Sequence, residues 1–429
     1  MKKIFNLKYL LTVIIIAAVI LNYTKLYALD SEESEWTPLQ LALFNPVQIF
    51  DEKCNVYGLR LNLIYGVNSD LYGIDIGMVN KADNVYGIEM AIISNIVLGD
   101  MAGFQLAITN DVKGDLFLMQ TALYSNNVEG NVYGIQTGLI FNTVAGNVIG
   151  FQTVLNLNRV NGNMNGFQTA LNVNEVQGNM TGFQTALNGN GVNGSMTGLQ
   201  TALNVNGVEG NINGIQTALL GNFVISEKKT LTFKKWLYVI WDPSAGMHSL
   251  FGELKEDKGN MNGMQTAVLN GVAGRMNGLQ TAFIFNLAGE VNGVQLAFME
   301  NFVSGDMNGI QFAPGYNRVK GEFNGIQASM FRNSSGGASG IQLSVLSNSS
   351  RDMRGFQAAA VNVQSLFREQ RVSTGIQLGL INYSESFRGV QIGIINWSKR
   401  MTGVQIGLVN VIQNNPVPVF PVFNVSTRF

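Results

Sequence analysis

The chain has 429 residues with 27 basic and 28 acidic side chains, a net charge of -1, so electrostatics gives no case for nucleic acid or for an acidic partner. Its 46 % hydrophobic content, 49 glycines and only 7 prolines suit a packed β-protein and exclude a disordered one. A single cysteine, Cys54, rules out an internal disulfide.

In chain order, residues 1–28 read as a cleaved export signal. Lys2, Lys3 and Lys8 form the basic start, residues 10–21 are apolar, and Leu26-Tyr27-Ala28 ends in a small residue. The apolar run is about a dozen residues, short of the roughly 20 that span a bilayer as a helix. No later segment is long and apolar enough for a transmembrane helix, and Cys54 lies too far downstream for lipoprotein acylation. Residues 29–56 form an N-terminal cap segment, acidic over 30–35. The alternation from Leu39 to Phe50 then predicts strand, turn, strand.

A repeat follows. The chain writes Gly, an apolar residue and Gln 17 times, from Gly103-Phe104-Gln105 to Gly403-Val404-Gln405. The step is 16 residues from Gly134 through Gly214, then mostly 15 or 16, and 14 at Gly375, Gly389 and Gly403. Four variant copies bring the units to 21: Gly58-Leu59-Arg60, Gly73-Ile74-Asp75, Gly87-Ile88-Glu89, and Leu118-Met119-Gln120, which has lost its glycine. Such a short unit cannot bury its own apolar face and must stack on its neighbours. The array divides into 57–221, an insert at 222–259, and 260–410, with a C-terminal cap at 411–429 whose prolines 416, 418 and 421 suit an edge.

Alternation around the Gln has period two, the mark of a strand. Phe183, Thr185 and Leu187 share one face; Gly182, Gln184 and Ala186 share the other. Two all-β architectures satisfy the pattern. The favoured one is a β-solenoid of 14–16-residue coils with strands at 182–187 and 192–196 and turns at 188–191 and 197–198. Its Val, Met, Phe and Leu would point inward, and its Gln side chains would ladder along the outside. The alternative is a large transmembrane β-barrel with one strand per unit. Each unit, however, offers about three outward apolar positions where a bilayer-crossing strand of 9–11 residues needs about five.

Chemistry is sparse. The one histidine, His248, has no partners that suggest a triad, and no phosphate loop or paired-Cys motif occurs, so no enzyme, metal or cofactor is expected. The turn slot holding Asp100, Asp115, Asn131 and Asn147 also accepts Ser195 and Arg275. Turn preference explains that better than a calcium site, which needs converging oxygens. Arg60, Asp75 and Glu89 replace Gln in consecutive copies, so the Gln face, with Gln184 as its type residue, is read as a polar face toward water. It would be a ladder of ion pairs and hydrogen bonds, or a channel lining in a barrel. Within the insert, Lys234, Lys235, Trp236 and Trp241 are the candidate partner contacts.

The stretch from Thr37 to Phe50 and the segment Tyr57-Gly58-Leu59-Arg60-Leu61-Asn62-Leu63 resemble the bacterial surface repeat-containing protein family of spirochaetes and other diderm bacteria. So do Gly389-Val390-Gln391-Ile392-Gly393 and Gly403-Val404-Gln405-Ile406-Gly407. The resemblance covers nearly the whole chain after residue 28 and implies a surface or outer-membrane location without catalytic residues. The Asn-rich copies at 142–222 and the insert depart from it. The expectation is an exported, non-enzymatic interaction or adhesion scaffold. It would bind an unknown protein or glycan ligand, with membrane association possible; the alternative is a solute-passing barrel.

Overall fold

The computed structural model describes residues 36–225, 259–364 and 372–427. Every element in these residues is a strand. The chain forms two units, Met1–Leu187 and Asn188–Phe429, each a stack of short coils.

A coil in the first unit consists of a long strand, Met164–Ala170, a corner, a short strand, Val173–Val176, and a second corner that leads to Met180–Ala186. Neighbouring coils pair in parallel with every repeat position on its own copy: Gly166 on Gly182, Phe167 on Phe183, Gln168 on Gln184. The second unit repeats this arrangement, and Ile212–Ala218 pairs with Met261 to Thr266 in the same register. The fold is therefore a parallel β-solenoid. An up-and-down membrane barrel needs antiparallel neighbours, so the barrel alternative is set aside.

The corners differ from those predicted. The long strand takes in Met196 through Ala202, so Gly198 lies within it rather than in a turn, and the short strand is Gly189–Val192. The repeat glycine has a conformational role instead. Gly182 sits at φ +124°, and a Cβ on it would collide with the Gly166 carbonyl of the coil before. Only glycine takes this backbone without strain, which explains its recurrence in every copy but one. Leu118 occupies the same column at φ 89°, paired with Gly103 and Gly134.

The largest difference concerns which face is inside. Gln168 is 0 % exposed and Gln184 1 %, whereas Phe183 is 45 % exposed and Leu187 44 %. The interior is built from a Val–Met edge (Val160, Met164, Val176, Met180), an Ala column, and two amide columns of Gln and Asn. Each buried Val or Met contributes about 1.5–3 kcal/mol. The predicted water-facing Gln ladder and the inward Phe and Leu are thus reversed.

A buried amide is costly only when unpaired, and in the two repeat columns the amides pair with their own copies in the neighbouring coils. Coils lie about 4.8 Å apart, within reach of an amide-to-amide hydrogen bond. Gln120, Gln136, Gln152 and Gln168 each donate Nε2 to the Oε1 of the preceding Gln at 2.7–3.0 Å. Asn126, Asn142 and Asn158 donate Nδ2 the opposite way, to the following Asn, at 2.8–2.9 Å. The two columns carry opposed dipoles. Each Asn also donates to a backbone carbonyl, as Asn142 does to Thr153 O at 2.9 Å. The second unit repeats both columns, from Gln216 to Gln405 and from Asn190 to Asn410.

The edges turn back on themselves. Trp36–Phe44 pairs in parallel with the coil beginning at Asn55 and antiparallel with Val47–Gln48. Val419–Ser426 pairs antiparallel with the last coil, and Asn410 at the end of the Asn column donates to Phe420 O at 3.2 Å.

Candidate functional site

The charged variants of the Gln column come together, in the core rather than on a surface. Arg60, Asp75 and Glu89 are each 0 % exposed, which corrects their expected place on a polar face or in a channel. Arg60 clasps Asp75 through Nε to Oδ1 at 2.8 Å and through Nη2 to Oδ2. Its Nη1 donates to Lys81 O at 2.9 Å, and Asn62 donates to Asp75 Oδ1 at 3.0 Å. Gln105 donates to Glu89 Oε2 at 2.7 Å, so the donor end of the Gln column terminates on a carboxyl group. Burial, and then the neighbouring Asp75 charge, push Glu89 up to about 8 from its ordinary 4.5. It therefore holds a proton at neutral pH, and Oε1, which accepts no hydrogen bond, is where that proton fits. The cluster is neutral and closed to solvent, which makes it a structural head to the column and not an active site.

The turn slot also resolves. Asp100 Oδ1 accepts the backbone N–H of Asp115 at 2.8 Å, Asp115 Oδ1 that of Asn131 at 2.7 Å, and Asn131 Oδ1 that of Asn147 at 2.9 Å. Ser195 does the same for Asn211 at 3.2 Å. A short side chain with an oxygen takes the N–H of the next coil in these copies, whereas Arg275 in the same slot donates its guanidinium to Glu290 Oε2 at 2.6 Å. Among the described residues no group of three or more His, Cys, Asp or Glu could hold a metal ion. Lys234, Lys235, Trp236, Trp241 and His248 lie outside the described residues.

What faces solvent is the set of columns one, three and five residues after the repeat glycine. Ile135, Phe151, Phe167 and Phe183 fill the first, Thr137, Thr153, Thr169 and Thr185 the second, and Leu139, Leu155, Leu171 and Leu187 the third. All are exposed or half-exposed. Phe151, Phe167 and Phe183 stack at 4.9 Å between ring centroids, within 4° of parallel. Nearer the N-terminus even the middle column is apolar, with Leu61, Ile76, Met90 and Leu106. The second unit continues the pattern with Ile310, Phe312, Ile376, Leu378 and Leu380, among others. No residue in these three columns is charged in any copy.

Charges gather on the short strands and corners, where Arg159 pairs with Glu175 at 2.9 Å, Arg275 with Glu290 at 2.6 Å and Lys113 with Glu129. Residue-by-residue hydropathy misses this face, because it assigns Phe and Leu to the core. A usable signal was present: three columns free of charge through every copy, beside a column of Asn and a column of Gln whose departures are Arg60, Asp75 and Glu89. No family model, curated protein or solved structure matches the chain.

Proposed function

We propose that the chain is an exported, non-enzymatic interaction scaffold of the cell surface, and that its working surface is the outward face of the long strands. The observation that supports this is the uncharged columns of exposed Phe, Ile and Leu along each unit. Monomeric soluble proteins rarely leave a contiguous apolar patch beyond a few hundred Å² uncovered. Nine coils in the first unit, at about 4.8 Å each and about 13 Å across, present roughly 550 Å². The core below is locked by paired amides, so the face is rigid and ready to dock. The export-like N-terminus and the resemblance to surface repeat proteins agree with this location. They suggest no chemistry beyond contact.

The test is retention in the producing cell. Phe151, Phe167 and Phe183 are changed together to Ser, which leaves the buried columns intact. The parent chain should remain with the washed cell envelope, and the variant, with unchanged circular dichroism, should be released to the soluble fraction. Equal retention of both would remove this face as the working surface.

A further inference from the structure

We propose that the partner of this face is the surface of a lipid bilayer, with the long strands of a unit lying along it. The proposal rests on the scaffold reading above and names the chemistry of its partner.

Three observations favour lipid over protein. A protein interface carries about one hydrogen bond per 100–200 Å² with a polar rim, but these columns offer no charge and no amide in either unit. Their polar atoms are mostly Thr hydroxyls, and some of these satisfy one another: Thr169 donates to Thr153 at 3.1 Å, and Thr266 and Thr281 share a bond of 2.8 Å. Acyl chains require nothing more. The second observation is the rim. In the first three copies the column before the repeat glycine holds Tyr57, Tyr72 and Tyr86, stacked at 4.6 and 4.8 Å, with Trp36 edge-on to Tyr57 at 6.1 Å. Such rings, apolar in body and polar at the tip, favour the boundary between acyl chains and headgroups. Later copies place mostly Asn and Thr in this column, and Arg at 354 and 388. The third is the segregation of charge. Arg159, Glu175, Lys113 and Glu129 sit away from the face, the division expected of an element that lies in an interface with one side wet. With a net charge of -1, apolar insertion rather than attraction to anionic lipid drives binding, so molar salt should not release it.

The experiment uses the full chain with Cys54→Ala as background. Phe167→Cys or, on the opposite side, Glu175→Cys is labelled with an environment-sensitive nitrobenzoxadiazole probe, and Leu155→Cys serves as a second face position. Phosphatidylcholine vesicles, with and without spin-labelled acyl chains, are added. The probes at 167 and 155 should shift to the blue and be quenched by the spin-labelled lipid, at low and molar salt alike, while the probe at 175 stays wet. The local readout makes the result independent of any membrane affinity in residues 10–21. Changing Phe151, Phe167 and Phe183 together to Asn should weaken partition on the order of a hundredfold. Face probes that stay wet on vesicles would overturn the lipid proposal. If those probes shift without lipid as concentration rises and the mass doubles, the face belongs to a second copy, and the scaffold reading survives. If they stay wet in both settings and envelope retention is also unchanged by the Ser variant, the scaffold reading falls too.

Discussion

Within the first unit the buried polar column has two regions of different character. From Gln105 to Gln168 each amide donates to one neighbouring carboxamide or carboxyl group and accepts from the next amide, so the stack meets its own hydrogen-bonding needs without charge. From Arg60 to Glu89 the column holds a guanidinium, a carboxylate and a carboxyl group, and its satisfaction depends on an ion pair and one retained proton. A uniform amide column tolerates any pH; the charged head does not. The contrast shows that the core selects hydrogen-bond complementarity between coils, and that identical amides are the simplest way to supply it.

The sharpest break is to remove one partner in each region. Asp75→Ala leaves the Arg60 charge buried without its clasp and should cost about 3–5 kcal/mol. Gln152→Leu strands one acceptor on Gln136 and one donor on Gln168, and should cost about 2–4 kcal/mol. Urea unfolding of the two variants against the parent ranks them; equal costs would erase the distinction between the regions.

Glu89 separates them by pH. Its folded value of about 8 stands above the ordinary 4.5, so the folded chain binds that proton more tightly than the unfolded chain. The stabilisation is complete below about 4.5, fades as pH rises, and is gone above about 8. The parent should therefore lose on the order of 4 kcal/mol between about pH 5 and about pH 9. Glu89→Gln extends the amide column toward Asp75 and should flatten that loss, read from urea midpoints across the range. A Gln variant with the parent's slope would place the titration elsewhere.

The smallest effect concerns the glycine column. Leu118 holds φ 89° where its neighbours in the stack are glycine. Relief of left-handed strain, offset by glycine's greater freedom when unfolded, predicts that Leu118→Gly stabilises by about 1 kcal/mol. A lower melting temperature for that variant would show that its exposed side chain matters more than its backbone.

Much of the architecture was legible before the structure. The 14–16-residue period, the strand through the Gln and the loss of glycine at Leu118 all follow from spacing and alternation. The link between Arg60, Asp75 and Glu89 was also visible, but not its burial. Residues 193–195 form the corner where a strand was predicted, because Val192 and Met196 read as one apolar segment when they belong to two strands on either side of a bend. The exposed apolar face was not legible as a face. Phe183 and Leu187 look like core side chains in isolation, and their exposure depends on what fills the coil beneath them.

The amino-acid sequence by itself determined the repeat, its register and the need for glycine, because each copy must place the same residue on the one before it. Only the tertiary structure decided which side of the strand is dry. Hydropathy ranks residues one at a time, and on that scale Gln loses to Phe. At about 4.8 Å between coils a column of Gln donates to and accepts from itself, so its burial cost is largely cancelled by bonds that no single copy can make. The apolar residues are then left outside.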